Sequence, residues 1–332
     1  MIRHVEPPFP RFPAGPLADR LRMKRAAKAR SLASTLWRGF VPVSRPVLLI
    51  VLISALAYLA DLPSHILRAI SIPDQPLALM GALIGVVLAF RTNLAYARWW
   101  EARTLWGTLT NASRTWLRQV DSFLDAAATP DGRALRRELV RRQLAFLHAL
   151  SAELRGKPAL PEILRFLPEP ESAEMGEEEG KASSRLLVLL GRRTADLRRK
   201  EGISDQQLRA LDTTLTAMTD AQGGCERIRN TPFPREYDFY LEILTYAYCF
   251  LLPIAIADET GPLSMVAAPL VGLVLMMLNQ IGRNLENPFD HSMDSIPLVS
   301  LCRKLEKELL YGIGETGALS QDGLPTCPKK PA

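Results

Sequence analysis

Four stretches of the chain are apolar for longer than the buried face of a soluble helix requires. They are 46–62 (PVLLIVLISALAYLADL), 76–90 (PLALMGALIGVVLAF), 240–257 (YLEILTYAYCFLLPIAIA) and 262–282 (PLSMVAAPLVGLVLMMLNQIG). The first has no charge from Val47 to Ala60 and, with its flanks, comes near the ~20 residues a helix needs to cross a bilayer. The second is shorter. It rises about 22 Å at 1.5 Å per residue, less than a hydrocarbon core of about 30 Å, so alone it also fits a buried soluble helix. Asp258–Pro262 separates the third and fourth, which predicts an antiparallel hairpin.

Between these pairs lies a charged, helix-forming region, 101–235. The stretch 133–156 keeps Leu135, Leu139, Leu144, Leu147 and Leu154 at helical spacing. Two further helices are predicted at 184–202 and 204–228. The latter opens on the cap residues Ser204 and Asp205, and Gly223-Gly224 is expected to close it. The segment 168–184 is an acidic loop with Pro and Gly, read either as a solvated linker or as a partner-binding element. The tail beyond Gly312 is Gly/Pro-rich and expected to be disordered. No alternation typical of strands and no internal repeat appears.

Charge gives the apolar runs a direction. Residues 1–45 carry ten Arg and Lys against two acids. Within them, 17–40 has near-helical apolar spacing and reads as an interfacial amphipathic helix, a basic cytoplasmic tail or a transit peptide. The link 61–76 holds Asp61 and Asp74 against Arg68, and 258–262 holds Asp258 and Glu259 with no base. After the second run come Arg91, Arg98, Arg103, Arg114 and Arg118. Basic flanks stay cytoplasmic, so both short acidic links face out and both termini face in. This consistency favours a multi-pass membrane protein over two soluble domains. The four cysteines (Cys225, Cys249, Cys302, Cys327) and four histidines are scattered, with no metal-ligand spacing. No metal or cofactor is expected, nor a nucleic-acid partner. No HExxH, GxSxG, P-loop or dinucleotide fingerprint is present, so the chain is not read as an enzyme. The apolar runs lack the internal ionisable groups of proton-coupled carriers.

Three blocks carry a resemblance: 90–107 (FRTNLAYARWWEARTLWG), 227–255 (RIRNTPFPREYDFYLEILTYAYCFLLPIA) and 281–309 (IGRNLENPFDHSMDSIPLVSLCRKLEKEL). In that order they resemble bacterial members of the bestrophin channel family, over about residues 35–312. Ala97 departs from the pattern, standing where bacterial relatives often carry an acid. The resemblance implies an all-α membrane protein with four transmembrane helices per subunit and a large cytosolic helical region. It also implies a homopentameric channel around a central pore, in a bacterial inner membrane. The expected divisions are a basic cytosolic segment 1–45, transmembrane helices 1 and 2 with the pore neck at 46–100, and the cytosolic region 101–235. Transmembrane helices 3 and 4 follow at 236–282, then a cytosolic helix at 283–312 and the tail at 313–332.

The same resemblance puts the neck at Ala82, Val86 and Phe90. Their i, i+4, i+8 spacing independently places all three on one helix stripe. Gly81 and Gly85 make a GxxxG step, which suits tight packing within a subunit or beside a pore. Arg91 and Asn93 would mark the cytoplasmic exit. Trp99, Trp100 and Trp106 are expected in a packed belt, and Arg98, Glu101 and Arg103 in inter-helix ion pairs. Eukaryotic relatives bind calcium after an Asn-Pro-Phe motif. Here Asn287-Pro288-Phe289 is followed by Asp290, His291, Ser292, Met293 and Asp294, too few carboxylates for six to eight oxygen ligands. Calcium independence is therefore expected. The partners implied are permeant small monovalent ions and membrane lipid. The family favours chloride, and cations stay open. A membrane scaffold with a cytosolic partner-binding region is the competing reading.

Overall fold

The structure is a computed structural model that describes residues 43–59, 74–124, 130–168, 182–200, 202–290 and 294–315. The segment before residue 43, with its candidate helix at 17–40, lies outside the described residues, as do the acidic stretch 169–181, the tail from 316 and most of the link 61–76. All regular structure among the described residues is helical. The helices are α1 (Val43–Leu59), α2 (Asp74–Phe123), α3 (Pro130–Leu154), α4 (Leu160–Ile163), α5 (Ala182–Arg199), α6 (Asp205–Asn230), α7 (Arg235–Thr260), α8 (Ser264–Glu286) and α9 (Leu298–Gly312). They fall into two compact units, and α2 contributes to both.

The first unit comprises α1, the start of α2, α7 from Asp238 and α8 to Ile281. Its interior gathers Ile50, Ile84, Leu88, Leu241, Cys249, Leu252 and Met276. Its exterior is apolar too: Leu48, Leu52, Leu244, Val266, Leu270 and Val274 are all exposed. A helix set apolar inside and out belongs in lipid. Its buried serine and threonine hydroxyls, Ser54, Thr245 and Ser264, donate to carbonyls three or four residues back, so none of the three is left unsatisfied away from water. Glycines set the close approaches. A Cβ on Gly81 would collide with the Tyr248 ring of α7, and one on Gly272 would lie 2.7 Å from Ile50 of α1 and 3.5 Å from Cys249 of α7. Cys249 and Gly272 stand at nearly equal chain distance from Gly261, as the expected hairpin requires. A single 3-10 turn, Gly261–Leu263, makes the bend, with Gly261 at φ 54° where a side chain would be strained. Helix α7 itself runs through Asp258 to Thr260, so the turn is tighter than the acidic link suggested.

Among the described residues three helices are long and apolar enough to cross a membrane: Gln75–Phe123, Glu236–Ile256 and Gly261–Glu286. Val43–Leu59 is apolar but shorter; its described part rises about 26 Å.

The second unit holds the rest of α2, then α3 to α6, the end of α8, and α9. Helix α3 is its axis. From Gln143 to Ala152 it is buried on every side, packed by α4, α5, α6 and α9. Trp106, Trp116, Leu144, Phe146, Leu150, Leu186, Met218 and Leu309 belong to one continuous core. Ser204 caps α6 as the sequence predicts, in a reciprocal capping box with Gln207. The expected stop at Gly223-Gly224 is not there; α6 continues to Asn230. Gly224 serves packing, since a Cβ on it would lie 2.7 Å from Leu105 of α2. The buried partners of α6 hold the helix through the glycine pair.

Candidate functional site

Helix α2 is unbroken for 50 residues, about 75 Å of axis. Successive residues at helical spacing form an exposed stripe along it, within a broader exposed face that also carries Leu79, Leu83, Leu94 and Trp100. In the first part the stripe is Ala82, Val86 and Phe90, the last two 53% and 63% exposed. Further on it is Asn93, Ala97, Glu101, Thr104, Thr108, Asn111 and Arg118, all exposed. This stripe thus passes from wholly apolar to mainly polar at Phe90–Asn93, with Ala97 the apolar exception. Thr104 and Thr108 turn their hydroxyls back to carbonyls four residues earlier, which presents their methyls and leaves the helix intact.

The side chains next to this transition are fixed with unusual thoroughness. The Arg91 guanidinium is 2% exposed and pairs with Glu286 at 3.3 Å. It lies flat against α8 because Gly282 has no side chain; a Cβ there would sit 2.9 Å from it. Arg91 is therefore a buried structural cation, and Asn93 alone of the expected exit pair faces solvent. Arg98 was expected in an ion pair. Instead its guanidinium donates to the carbonyls of Glu286 (2.9 Å), Thr231 (2.6 Å) and Ile228. Those carbonyls are the open ends of α8 and α6. A cation there satisfies orphan acceptors and meets the negative end of both helix dipoles. Glu101 does pair between helices, with Arg227 of α6, while Arg103 is exposed and makes no ion pair among the described residues.

The tryptophans divide three ways. Trp106 is buried in the core. Trp99 donates its indole N–H to the Asp294 carbonyl at 2.7 Å. Trp100 is exposed, and Tyr96 stacks with both, 6.1 Å from Trp99 and 6.4 Å from Trp100. The segment after α8 is tied to the same place. Phe289 is buried, Asp290 pairs with Arg229 at 2.6 Å, and Asp294 accepts from the Asn284 amide at 3.3 Å. Both described acids after the Asn-Pro-Phe motif are thus engaged by donors. Among the described residues no group of three or more His, Cys, Asp or Glu is placed to hold a metal. Cys225 and Cys302 are buried, and burial pushes each thiol up to about 12, which leaves neither reactive.

One cluster escaped sequence reasoning. His148 of α3 is buried with Glu306 of α9 at 3.0 Å and Glu162 of α4 at 3.9 Å. Arg155 pairs with Glu162 at 2.7 Å and Arg165 with Glu306 at 2.9 Å. Burial opposes a charge on His148, yet the two carboxylates outweigh it and raise its pKa. Burial also opposes charge on Glu162, and His148 and Arg155 nevertheless bring it down to about 2. The only signal in sequence was a lone His amid leucines, which does not name its partners.

Comparison with known proteins agrees with this arrangement. The family described as Bacterial/Fungal Bestrophin protein matches residues 22–311. A voltage-dependent anion channel-forming protein of Salmonella typhi is 32% identical over 79% of this chain and 84% of its own. One of Mesorhizobium japonicum is 33% identical over 72% of this chain and 75% of its own. The crystal structure of a bacterial bestrophin homolog from Klebsiella pneumoniae superposes with a TM-score of 0.77 at 29% identity, covering 82% of this chain and 99% of that one. The chain belongs to the bacterial and fungal bestrophin family.

Proposed function

We propose that this chain is the subunit of a pentameric channel for small monovalent anions, with chloride the expected physiological ion. The exposed stripe of α2 is the observation that carries this reading. It is apolar at Ala82, Val86 and Phe90 and mainly polar from Asn93 onward, and none of the described residues covers it. Five copies around an axis would turn the apolar part into three rings in series, a hydrophobic neck of the kind that gates by dewetting. The names of the relatives, which are anion channel-forming proteins, support the sign of the ion.

In this reading residues 46–100 and 236–282 form the transmembrane helices, and 1–45, 101–235 and 283–312 are cytosolic, with the tail 313–332 beyond them. Both termini face the cytoplasm of a bacterial inner membrane. The channel does no chemistry of its own. It works without calcium, because Asp290 and Asp294 are already committed to Arg229 and Asn284. Purified protein in planar bilayers under a potassium chloride gradient tests the core of the proposal. The expected reversal potential lies near that of chloride. Reversal near that of potassium would overturn the anion assignment. Absence of any current would leave the chain a membrane scaffold.

A further inference from the structure

Away from α2, the second unit has a cleft of about 550 Å³ between α3 and the turn that follows α4. That volume is ordinary for a small-molecule site. Ala134, Phe166, Leu167 and Pro168 give it an apolar side. Four guanidinium groups also line it, from Arg137, Arg141, Arg142 and Arg165, against the single carboxylate of Glu138. Among the described residues the neighbouring charges leave the balance positive. Glu138 is shared by Arg142 and Arg193, Glu306 is held by Arg165, and Glu315 is held by Arg137 and Arg141 together, the latter at 2.9 Å. Among the described residues five guanidinium groups thus share these three carboxylates, and Arg142 has a further contact beyond them.

Glu315 is not itself part of the lining, but two of the lining arginines hold it, and that pairing indicates what they can recognise. Arg137 and Arg141 stand one helical turn apart, so their guanidinium groups converge on one carboxylate, Arg137 through Nε and Arg141 through one Nη. The chain's own carboxylate already occupies that focus, just beyond the end of α9. Both arginines remain substantially open to solvent, at 59% and 40% exposure, while Glu315 is 9% exposed. A soluble oxyanion can therefore reach the guanidinium groups and exchange with Glu315 without unfolding the helix behind them.

We propose that this cleft binds a small organic anion bearing two or more oxyanion groups, and that Arg137 and Arg141 release Glu315 to hold it. Phe166 and Leu167 cover the carbon skeleton of the ligand, and Arg165 takes its second oxyanion. Carboxylate and phosphate share this chemistry, so the test has one arm for each. The full chain in detergent is heated at fixed ionic strength while citrate is titrated in one arm and glucose 6-phosphate in the other. Tryptophan fluorescence reports unfolding.

The expected result is a saturable rise of several degrees in at least one arm, absent from R137Q/R141Q. The responding arm names the oxyanion. E315Q should bind the same anion roughly tenfold more tightly, because a charge-assisted competitor is gone. R141K, which keeps the charge and loses the fork, should bind roughly tenfold more weakly, and it replaces the double variant if that fails to fold. No saturable response in either arm overturns the site, and so does an equal response in R137Q/R141Q or R141K. A response of E315Q no tighter than wild type overturns the exchange.

Discussion

Phe90 carries the sharpest consequence at the scale of single residues. Had it been a core side chain, its truncation would cost about 3–5 kcal/mol and loosen the protein. It is 63% exposed in the subunit, so Phe90→Ala should fold and assemble normally. As the bulkiest ring of the proposed neck it should dominate the barrier, since a narrow apolar ring cannot replace lost hydration. Single-channel recording is expected to show higher conductance or open probability in Phe90→Ala and a smaller gain in Val86→Ala. Ala82→Phe should lower the current. Unchanged conductance in an intact assembly would remove Phe90 from the gate. Helical spacing puts the three residues on one stripe, but it was the family resemblance that singled out this stripe as the neck. The role of Arg98 was not legible, because a guanidinium bound to backbone carbonyls leaves no complementary charge in the sequence to find.

At the scale of elements, Gly223 and Gly224 show where local rules stop. A glycine pair after a long helix reads as a C-cap, and sequence cannot separate that use from close packing of a neighbour. The structure separates them. Nothing lies within 4 Å of a Cβ on Gly223, whereas one on Gly224 meets Leu105. Gly223→Ala should therefore stabilise the protein by about 0.5–1 kcal/mol, the helical cost of glycine, and Gly224→Val should destabilise it by about 1–3 kcal/mol through overpacking. Chemical denaturation of both variants checks the pair, and the same sign for the two would refute the packing account. The joint between α3 and α9 was illegible for another reason. His148 and Glu306 lie 158 positions apart, and no periodicity links them. Their charges make stability depend on pH. A histidine whose pKa is raised by folding contributes fully below its unfolded value near 6.5, and the contribution fades as pH rises through the folded value. Glu162, brought down to about 2, and Glu306, also lowered, contribute above about 4.5 and lose that contribution as pH falls. The melting temperature of wild type relative to His148→Gln should therefore be greatest at mildly acid pH and shrink toward pH 9. A difference that grows with alkalinity would show that His148 is neutral in the fold.

For the whole molecule the decisive face is the one a single subunit leaves uncovered. The GxxxG step on α2 suited either packing within a subunit or approach to another copy, and the structure gives each glycine a different use. Gly81 lies against the Tyr248 ring inside the subunit, while a Cβ on Gly85 meets nothing within 4 Å. Gly85 sits beside the exposed apolar stripe, where a second copy would have to approach closely in lipid without hydrophobic help. Gly81→Leu should thus damage the subunit itself, at about 1–3 kcal/mol for a forced repacking, and appear as loss of folded protein. Gly85→Leu should leave the subunit folded, with its helix content and thermal transition retained, yet disturb the assembly or occlude its axis. Native mass spectrometry in detergent should give five chains of 36.9 kDa for wild type, and for Gly85→Leu either smaller species or a pentamer without current. A Gly85→Leu protein that assembles as five and conducts like wild type would place the α2 stripe against lipid. The central pore would then have to be built from another helix.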